Sequence, residues 1–202
     1  MNGELYRKTE VRKNQKWPMV ELSKVVTLLR GQGLSKKDIG EKGGNKCVHY
    51  GQLYTTYGQV IKNAKSYTEL DGKVWSVSGD VLVPGTTTAD AMGIATASAL
   101  LEDNVIIGGD INVLRIDKEK IDPVYLAYLL SKPFKKELAV YARGTNIIHL
   151  LGKDIIKIKI PLPPLEVQKE IVEQIEVKQN AIDHAKEIIK NLERETIFWP
   201  RA

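Results

Sequence analysis

The segment IPLPPLEVQKEIVEQIE (residues 160–176) runs from an extended, β-branched stretch across three prolines into a charged amphipathic pattern. Pro161, Pro163 and Pro164 limit backbone freedom and withdraw hydrogen-bond donors, so a β-rich body ends here. From Leu165 onward the apolar residues recur at helical spacing. Heptad arithmetic puts Ile175, Ile182 and Ile189 at one repeating position, with Ile171, Ala185 and Leu192 completing an a/d seam. Lys178 interrupts that seam, while Val172 and Ile188 widen the apolar stripe. Read through to Trp199, the helix has about 35 residues and spans roughly 50 Å. It overhangs a core of this size. Two readings stay open: an amphipathic helix packed on its own domain, or a helix that pairs with another helix.

Working back from the prolines, DIIKIKIPL (154–162) reads as a strand with alternating lysines. DPVYLAYLLSKPFKKELAVYARG (122–144) has helical spacing, with Asp122 as N-cap and Pro123 in the first turn. Pro133 divides it into two short helices. Phe134, Leu138 and Tyr141 share a face of the second, and Gly144 can end it. Everything earlier is β-like. WPMVELSKVVTLLRGQG (17–33) gives strand pieces ending at Gly31 and Gly33. GLSKKDIGEKGGNK (33–46) is a polar, glycine-bearing loop of the kind that commonly carries function. CVHYGQLYTTYGQVI (47–61) predicts a strand, a tight connection and another strand. Residues 73–101 predict short β segments broken at Gly79-Asp80 and Pro84-Gly85, and residues 104–116 a strand pair around Gly108-Gly109. The expected class is α+β, without the alternation of a doubly wound sheet. The expected division is an arm over 1–16, a β-rich body with a short helical pair over 17–162, and a long coiled-coil-type helix over 163–202.

Composition narrows the classes of function. The chain has 202 residues, 43% hydrophobic and 27% charged, which suits one folded core with an appended element. No run approaches the roughly 18 apolar residues of a membrane span. The polar start, MNGELYRKTEVRKNQKW, argues against a cleavable signal peptide. A single cysteine, Cys47, excludes an internal disulfide and a cysteine-rich metal site. A cytoplasmic protein is expected. The net charge of +5 is compatible with nucleic acid and does not establish it. Its distribution is more informative: Arg7, Lys8, Arg12, Lys13 and Lys16 cluster first, then Arg30, Lys36, Lys37, Lys42 and Lys46 among glycines.

Catalytic signatures are missing from the sequence. GQGLSKK and GEKGGNK imitate a phosphate-binding loop only by composition. There is no GxGxxG opening a helix, no HExxH, and no Asn/Asp-Pro-Pro-aromatic tetrapeptide of the amino-methyltransferases. His49, His149 and His184 are scattered, and Glu176 and Lys178 point to different helix faces. Contact chemistry is better represented. Tyr50, Gln52, Tyr54, Thr55, Thr56 and Tyr57 lie in one short segment, where Gln can bond adenine and Tyr and Thr hydroxyls can bond phosphate. The same tyrosines also suit a β core. Ser35, Lys36 and Lys37 in the glycine loop, Thr86 and Thr87 with Thr88, and Arg143, Thr145, Asn146 and His149 around Gly144 complete the set of candidate contacts. Thr145 or Asn146 also suits a turn cap.

With these segments in hand, the chain resembles one half of a specificity subunit of a type I restriction–modification system. PLPPLEVQKEIVEQIE is similar to the family's PLPPLxEQ followed by an Ile/Val-rich helix, with Val167 where an acidic residue is usual. W-P-x-V-x-L at Trp17–Leu22, Arg30-Gly31, YGQLYTTYG, SGDVLVPGTTT, IGGDINVLRI and ARGTNI are also similar to family segments. The resemblance covers most of residues 17–195. It implies a target-recognition domain that reads one half of a split double-stranded DNA sequence, and a spacer helix that pairs antiparallel with a second one. It implies that modification (methyltransferase) subunits dock on that spacer and a restriction motor-nuclease subunit joins the complex. Catalysis then belongs to those partners, S-adenosylmethionine to the first and ATP with Mg to the second, with no cofactor on this chain. A full family subunit carries two recognition domains and two spacers, whereas one of each is present here. A natural half-length subunit, a piece of a longer chain and a recombining cassette all fit, and the first implies a homodimer through residues 165–198. A helix-mediated adaptor that touches no DNA is the alternative.

Overall fold

The computed structural model describes residues 16–196, with side-chain environments given through Glu193. Most of the expected arm, and the helical reading of residues 197–199, therefore lie outside the described residues. The chain opens with β1 (Met19–Glu21), a single 3-10 turn at Leu22–Lys24, and β2 (Val26–Arg30). The glycine loop follows, and then β3 (Asn45–Val48), α1 (Gln52–Thr55), β4 (Val60–Ile61) and β5 (Ser66–Thr68). The connection in CVHYGQLYTTYGQVI is thus a turn of helix rather than a tight strand-to-strand turn. His49 N–H donates to the Gln52 side chain at 2.9 Å, and Gly51 N–H donates to His49 Nδ1 at 3.2 Å. Those local bonds draw the backbone into helix.

The middle of the chain forms β6 (Asp80–Pro84), β7 (Thr86–Thr87), α2 (Ala91–Ile94), β8 (Ser98–Leu100), β9 (Ile106–Ile107) and β10 (Ile111–Ile116). The short α2 is absent from the sequence expectation; Asp90 caps it by accepting Gly93 N–H at 2.7 Å. The helical pair forms as expected: α3 (Pro123–Ser131) and α4 (Lys135–Val140), interrupted around Pro133. Asp122 caps α3 by accepting the Val124 and Tyr125 N–H groups at 2.9 and 2.8 Å. The chain continues through β11 (Ile148–His149), α5 (Gly152–Ile155), β12 (Lys159–Pro161) and α6 (Leu165–Thr196). In DIIKIKIPL only the last part is strand. Asp154 and Ile155 close a helical turn, with Ile155 N–H on Leu151 O and Ile156 N–H on Gly152 O.

A five-stranded sheet in the order β2-β10-β6-β8-β4 forms the centre, antiparallel except where β4 runs parallel to β8. All five residues of β6 are buried, because both faces of this sheet are covered. Val81, Val83, Leu114 and Ile116 point into the larger core beneath α2, α3, α4 and α5. Leu82, Leu100, Ile111 and Val113 point the other way, into a second core with Val48, Leu53, Ile61 and Ile107. A three-stranded sheet, β5-β3-β9, brings β3 parallel to β9. The two strands around Gly108-Gly109 both form but are not a hairpin, since β9 joins β3 while β10 lies between β2 and β6. The class is α+β, a β-rich body followed by one long helix.

The proline joint is closed by two devices. β12 lies antiparallel to β1, with Val20 opposite Ile160, so the exit from the body is stitched to its start. Gln168, on the first turn of α6, is fully buried. Its oxygen accepts Asp122 N–H at 2.8 Å, and its amide donates to the carbonyls of Lys120 at 3.0 Å and Pro163 at 2.8 Å. One side chain thereby ties α6 to the start of α3. Ile171, Val172 and Ile175 then pack partly on the larger core. From Asn180 to Glu193 every residue is exposed, and that stretch projects clear of the body.

Candidate nucleic-acid interface

The candidate interface lies where the end of the central sheet meets the β7–β11 ribbon. Ile148 stands opposite Thr87 and His149 opposite Thr86, joining segments some sixty residues apart. Arg143 and His149 exchange two backbone hydrogen bonds, at 2.9 and 2.7 Å, and close a hairpin. Gly144 lies at φ +129°, where a Cβ would fall 2.0 Å from the Ile147 carbonyl oxygen, so only glycine serves this tip. Thr145, Asn146 and Ile147 are exposed on it. The Tyr54 hydroxyl donates to the Thr86 carbonyl at 2.9 Å, fixing α1 against the ribbon.

Beside the ribbon is a cleft of about 340 Å³, lined by Arg30, Asp110, Asn112, His149 and Lys153 together with Leu28, Leu29, Leu150, Leu151 and two glycines. Asn112 is buried in β10 and donates to the Leu150 carbonyl at 2.9 Å, while Leu150 N–H donates to the Gly85 carbonyl. The wall of the cleft is therefore rigid. Arg30 and Lys153 bring positive charge, and Arg30 lies 3.4 Å from Asp110. His49 is nearby in electrostatic reach: burial pushes its imidazole below the ordinary value, Asp110 draws it up and Lys36 pushes it down. With Nδ1 accepting from Gly51 N–H, His49 is a neutral donor through its other nitrogen.

The remaining sequence candidates divide by what their side chains already hold. Lys36 and Lys37 are exposed in the glycine loop. Ser35 is tied within it: its N–H and hydroxyl both donate to Asp38, at 2.9 and 2.5 Å, which holds that carboxyl below the usual range. Lys46 is paired with Glu102, whose other oxygen accepts Ala64 N–H at 2.7 Å. Gln52 accepts from His49 and donates to Ser66 Oγ at 2.5 Å. Tyr57 accepts Lys65 N–H at 2.8 Å, and Tyr50 packs on the second core and against His49. Thr86 and Thr87 are buried strand residues, and Thr55 is exposed with its hydroxyl on Gly51 O. The geometry brings Arg30, Tyr54, Thr86, Thr87, Arg143 and His149 together and leaves Lys46 elsewhere, in the three-stranded sheet. Among the described residues no group of three or more His, Cys, Asp or Glu side chains is placed to hold a metal ion. No helix among them is long and apolar enough to cross a membrane.

A family model for the type I restriction modification DNA specificity domain matches residues 14–194, nearly the whole described chain. The chain belongs to this specificity-domain family. The type I restriction enzyme MjaVIII specificity subunit of Methanocaldococcus jannaschii is 28% identical over 202 residues, covering 95% of this chain and 45% of that one. Among solved structures, a chain from work on complex assembly and conformational transition of the type I R-M system superposes with a TM-score of 0.67 at 20% identity, covering 93% of this chain and 44% of that one. The crystal structure of the HsdS subunit from Thermoanaerobacter tengcongensis gives 0.62 at 19%, covering 90% and 41%. These likenesses show the fold. The chain spans less than half the length of the relatives it matches. In this specificity domain the sequence reading passed over Asp110, Asn112, Lys153 and Gln168. Asp110 alone carried a visible signal, an aspartate after two glycines at a turn. The other three gain their surroundings from segments far away in the chain.

Proposed function

We propose that the chain is a non-catalytic DNA-recognition subunit, with the body over 17–162 reading one half-site and the helix over 163–202 serving as spacer. The observation that carries this reading is a cleft lined by Arg30, His149 and Lys153, beside the His149-closed hairpin that carries the exposed Thr145-Asn146 tip and Arg143, whose guanidinium lies 3.8 Å from Asp154. Sequence recognition needs such a mixture of positioning cations and directed polar groups. Membership of the specificity-domain family supports it. The spacer is proposed to pair with a second copy through Ile182, Ala185, Ile189 and Leu192, all exposed on the projecting half of α6. A two-fold dimer of reading heads calls for an interrupted, pseudo-palindromic target. Methylation and cleavage then belong to partner subunits, the modification subunit using S-adenosylmethionine and the motor-nuclease using ATP.

Co-expression with a modification subunit of the family, followed by mapping of methylated bases, tests the reading. The expected outcome is methylation at a two-part target. Binding to that duplex should weaken with salt, by roughly 0.9 in log–log slope for each phosphate contacted. Reversing charge at Lys36, Lys37 and Arg143 should lower affinity for all sequences. If those reversals change nothing while removal of residues 165–202 abolishes complex formation, the chain is an adaptor held by its helix alone.

A further inference from the structure

One carboxylate stands among the cations of the cleft. Asp110 sits at φ 59°, a left-handed conformation that aspartate and asparagine tolerate better than other side chains. Its backbone is held from two sides: its carbonyl accepts Gly85 N–H, and the carbonyl of Ile111 accepts Gly31 N–H at 2.9 Å. Gly31 packs so closely on the preceding turn that a Cβ there would lie 1.9 Å from the Gly108 carbonyl oxygen. Arg30, the residue before it, is presented by the same fixed backbone. The two side chains meet at 3.4 Å with 71% and 48% of their surfaces exposed. A pair so exposed and so loosely bonded adds little to stability, so folding alone does not account for it.

The chemistry of the pair selects among the surfaces DNA offers. Phosphates present only acceptors, and a carboxylate beside the guanidinium repels them. Arg30 is therefore a poor phosphate clamp. The major-groove edge of a G·C pair presents two neighbouring acceptors, guanine N7 and O6, followed by one donor, the cytosine N4 amino group. The arginine fork matches the two acceptors, and an ionised aspartate, which only accepts, matches the donor. An A·T edge places its donor between two acceptors, and that order does not fit the pair. We propose that Arg30 and Asp110 together read one G·C base pair, Arg30 on the guanine and Asp110 on the cytosine amino group. This rests on the DNA-recognition function proposed above.

The test is selection from a randomised duplex pool by the full chain co-expressed with a modification subunit, repeated for Asp110→Asn and Arg30→Gln. Asparagine tolerates the left-handed backbone equally, so the first variant keeps the fold. The wild-type chain should select a half-site containing an invariant G·C pair. Asp110→Asn should lower discrimination at that pair about tenfold while raising affinity for random duplex, because a negative charge leaves the face. Arg30→Gln should move the preference at the same position from guanine toward adenine. If wild type selects a target and both variants read every position as before, the pair is not a reader, and DNA recognition stands without it. An equal loss at every position with a lowered Tm makes Asp110 a structural residue and likewise overturns the proposal. Selection of no sequence by the wild type overturns both readings.

Discussion

Arg115 and Asp80 form a partly buried ion pair whose loss is measurable. The Asp80 carboxylate is fully buried and accepts two bonds from Arg115, at 3.0 and 2.9 Å, and one from Val77 N–H at 2.9 Å. Arg115→Ala leaves that carboxylate buried with its charge partner gone, so a loss of about 3 kcal/mol in urea unfolding is expected. Arg115→Lys should recover only part of it, because an ammonium cannot reproduce the two-pronged contact. A second prediction concerns alkaline pH. Burial pushes the Cys47 thiol from 9.0 up to about 11, pushes Tyr125 up to about 12, and raises Tyr54 as well. These groups hold their protons more tightly folded than unfolded. Their contribution is therefore complete below about pH 9 and is lost as pH rises through 11 and 12. The midpoint of urea unfolding should fall between pH 8 and pH 10.5, and Cys47 should resist alkylation until the chain unfolds. At this scale the sequence was legible in chemistry and not in availability. Gln52, Tyr57, Lys46 and Ser35 are the right residue types for contact with DNA, yet each is bonded to a partner within the fold. Whether a polar group faces solvent depends on residues such as Ser66 and Glu102, and spacing along the chain carries no record of them.

Among the elements, the joint between body and helix decides most. The three prolines announced where the sheet ends, and Asp122-Pro123 announced where α3 begins, because both effects are local to the backbone. What holds the two together, Gln168, was hidden inside the motif. Its amide satisfies two carbonyls and one N–H drawn from Pro163, Lys120 and Asp122. Gln168→Leu keeps the volume and leaves those groups without partners, at roughly 1–3 kcal/mol for each that water cannot reach. A total loss of about 3 kcal/mol is expected in chemical denaturation. Gln168→Glu should cost more at neutral pH, since a carboxylate has no donor for the two carbonyls. The elements misread from sequence were the short ones. α1, α2 and α5 are single turns, and side-chain bonds from Gln52 and Asp90 settle the first two where periodicity has too few residues to speak.

Over the whole molecule, α6 is divided between two environments. Ile171 and Ile175 close a mostly apolar cavity of about 220 Å³ with Tyr125, Tyr128 and Leu129 of α3. Ile182, Ile189 and Leu192 remain about half exposed on the projecting half. The first turns of the helix pack on their own body, and its second half carries a solvent-facing apolar stripe. Replacing Ile182, Ile189 and Leu192 together by Lys should leave the unfolding of the body unchanged. If the stripe joins two copies, sedimentation of the wild type at tens of micromolar should show a dimer that this variant lacks. The sequence by itself determined what depends on neighbours in the chain: the α+β class, the capped helical pair, the proline break and the amphipathic helix. Only the tertiary structure decided which distant residues share a face and which polar groups are already held by partners within the fold. Pairing of β7 with β11 and of β2 with β10 juxtaposes residues some sixty to ninety positions apart. Such contacts are selected by burial of two cores at once, a condition that no local pattern contains.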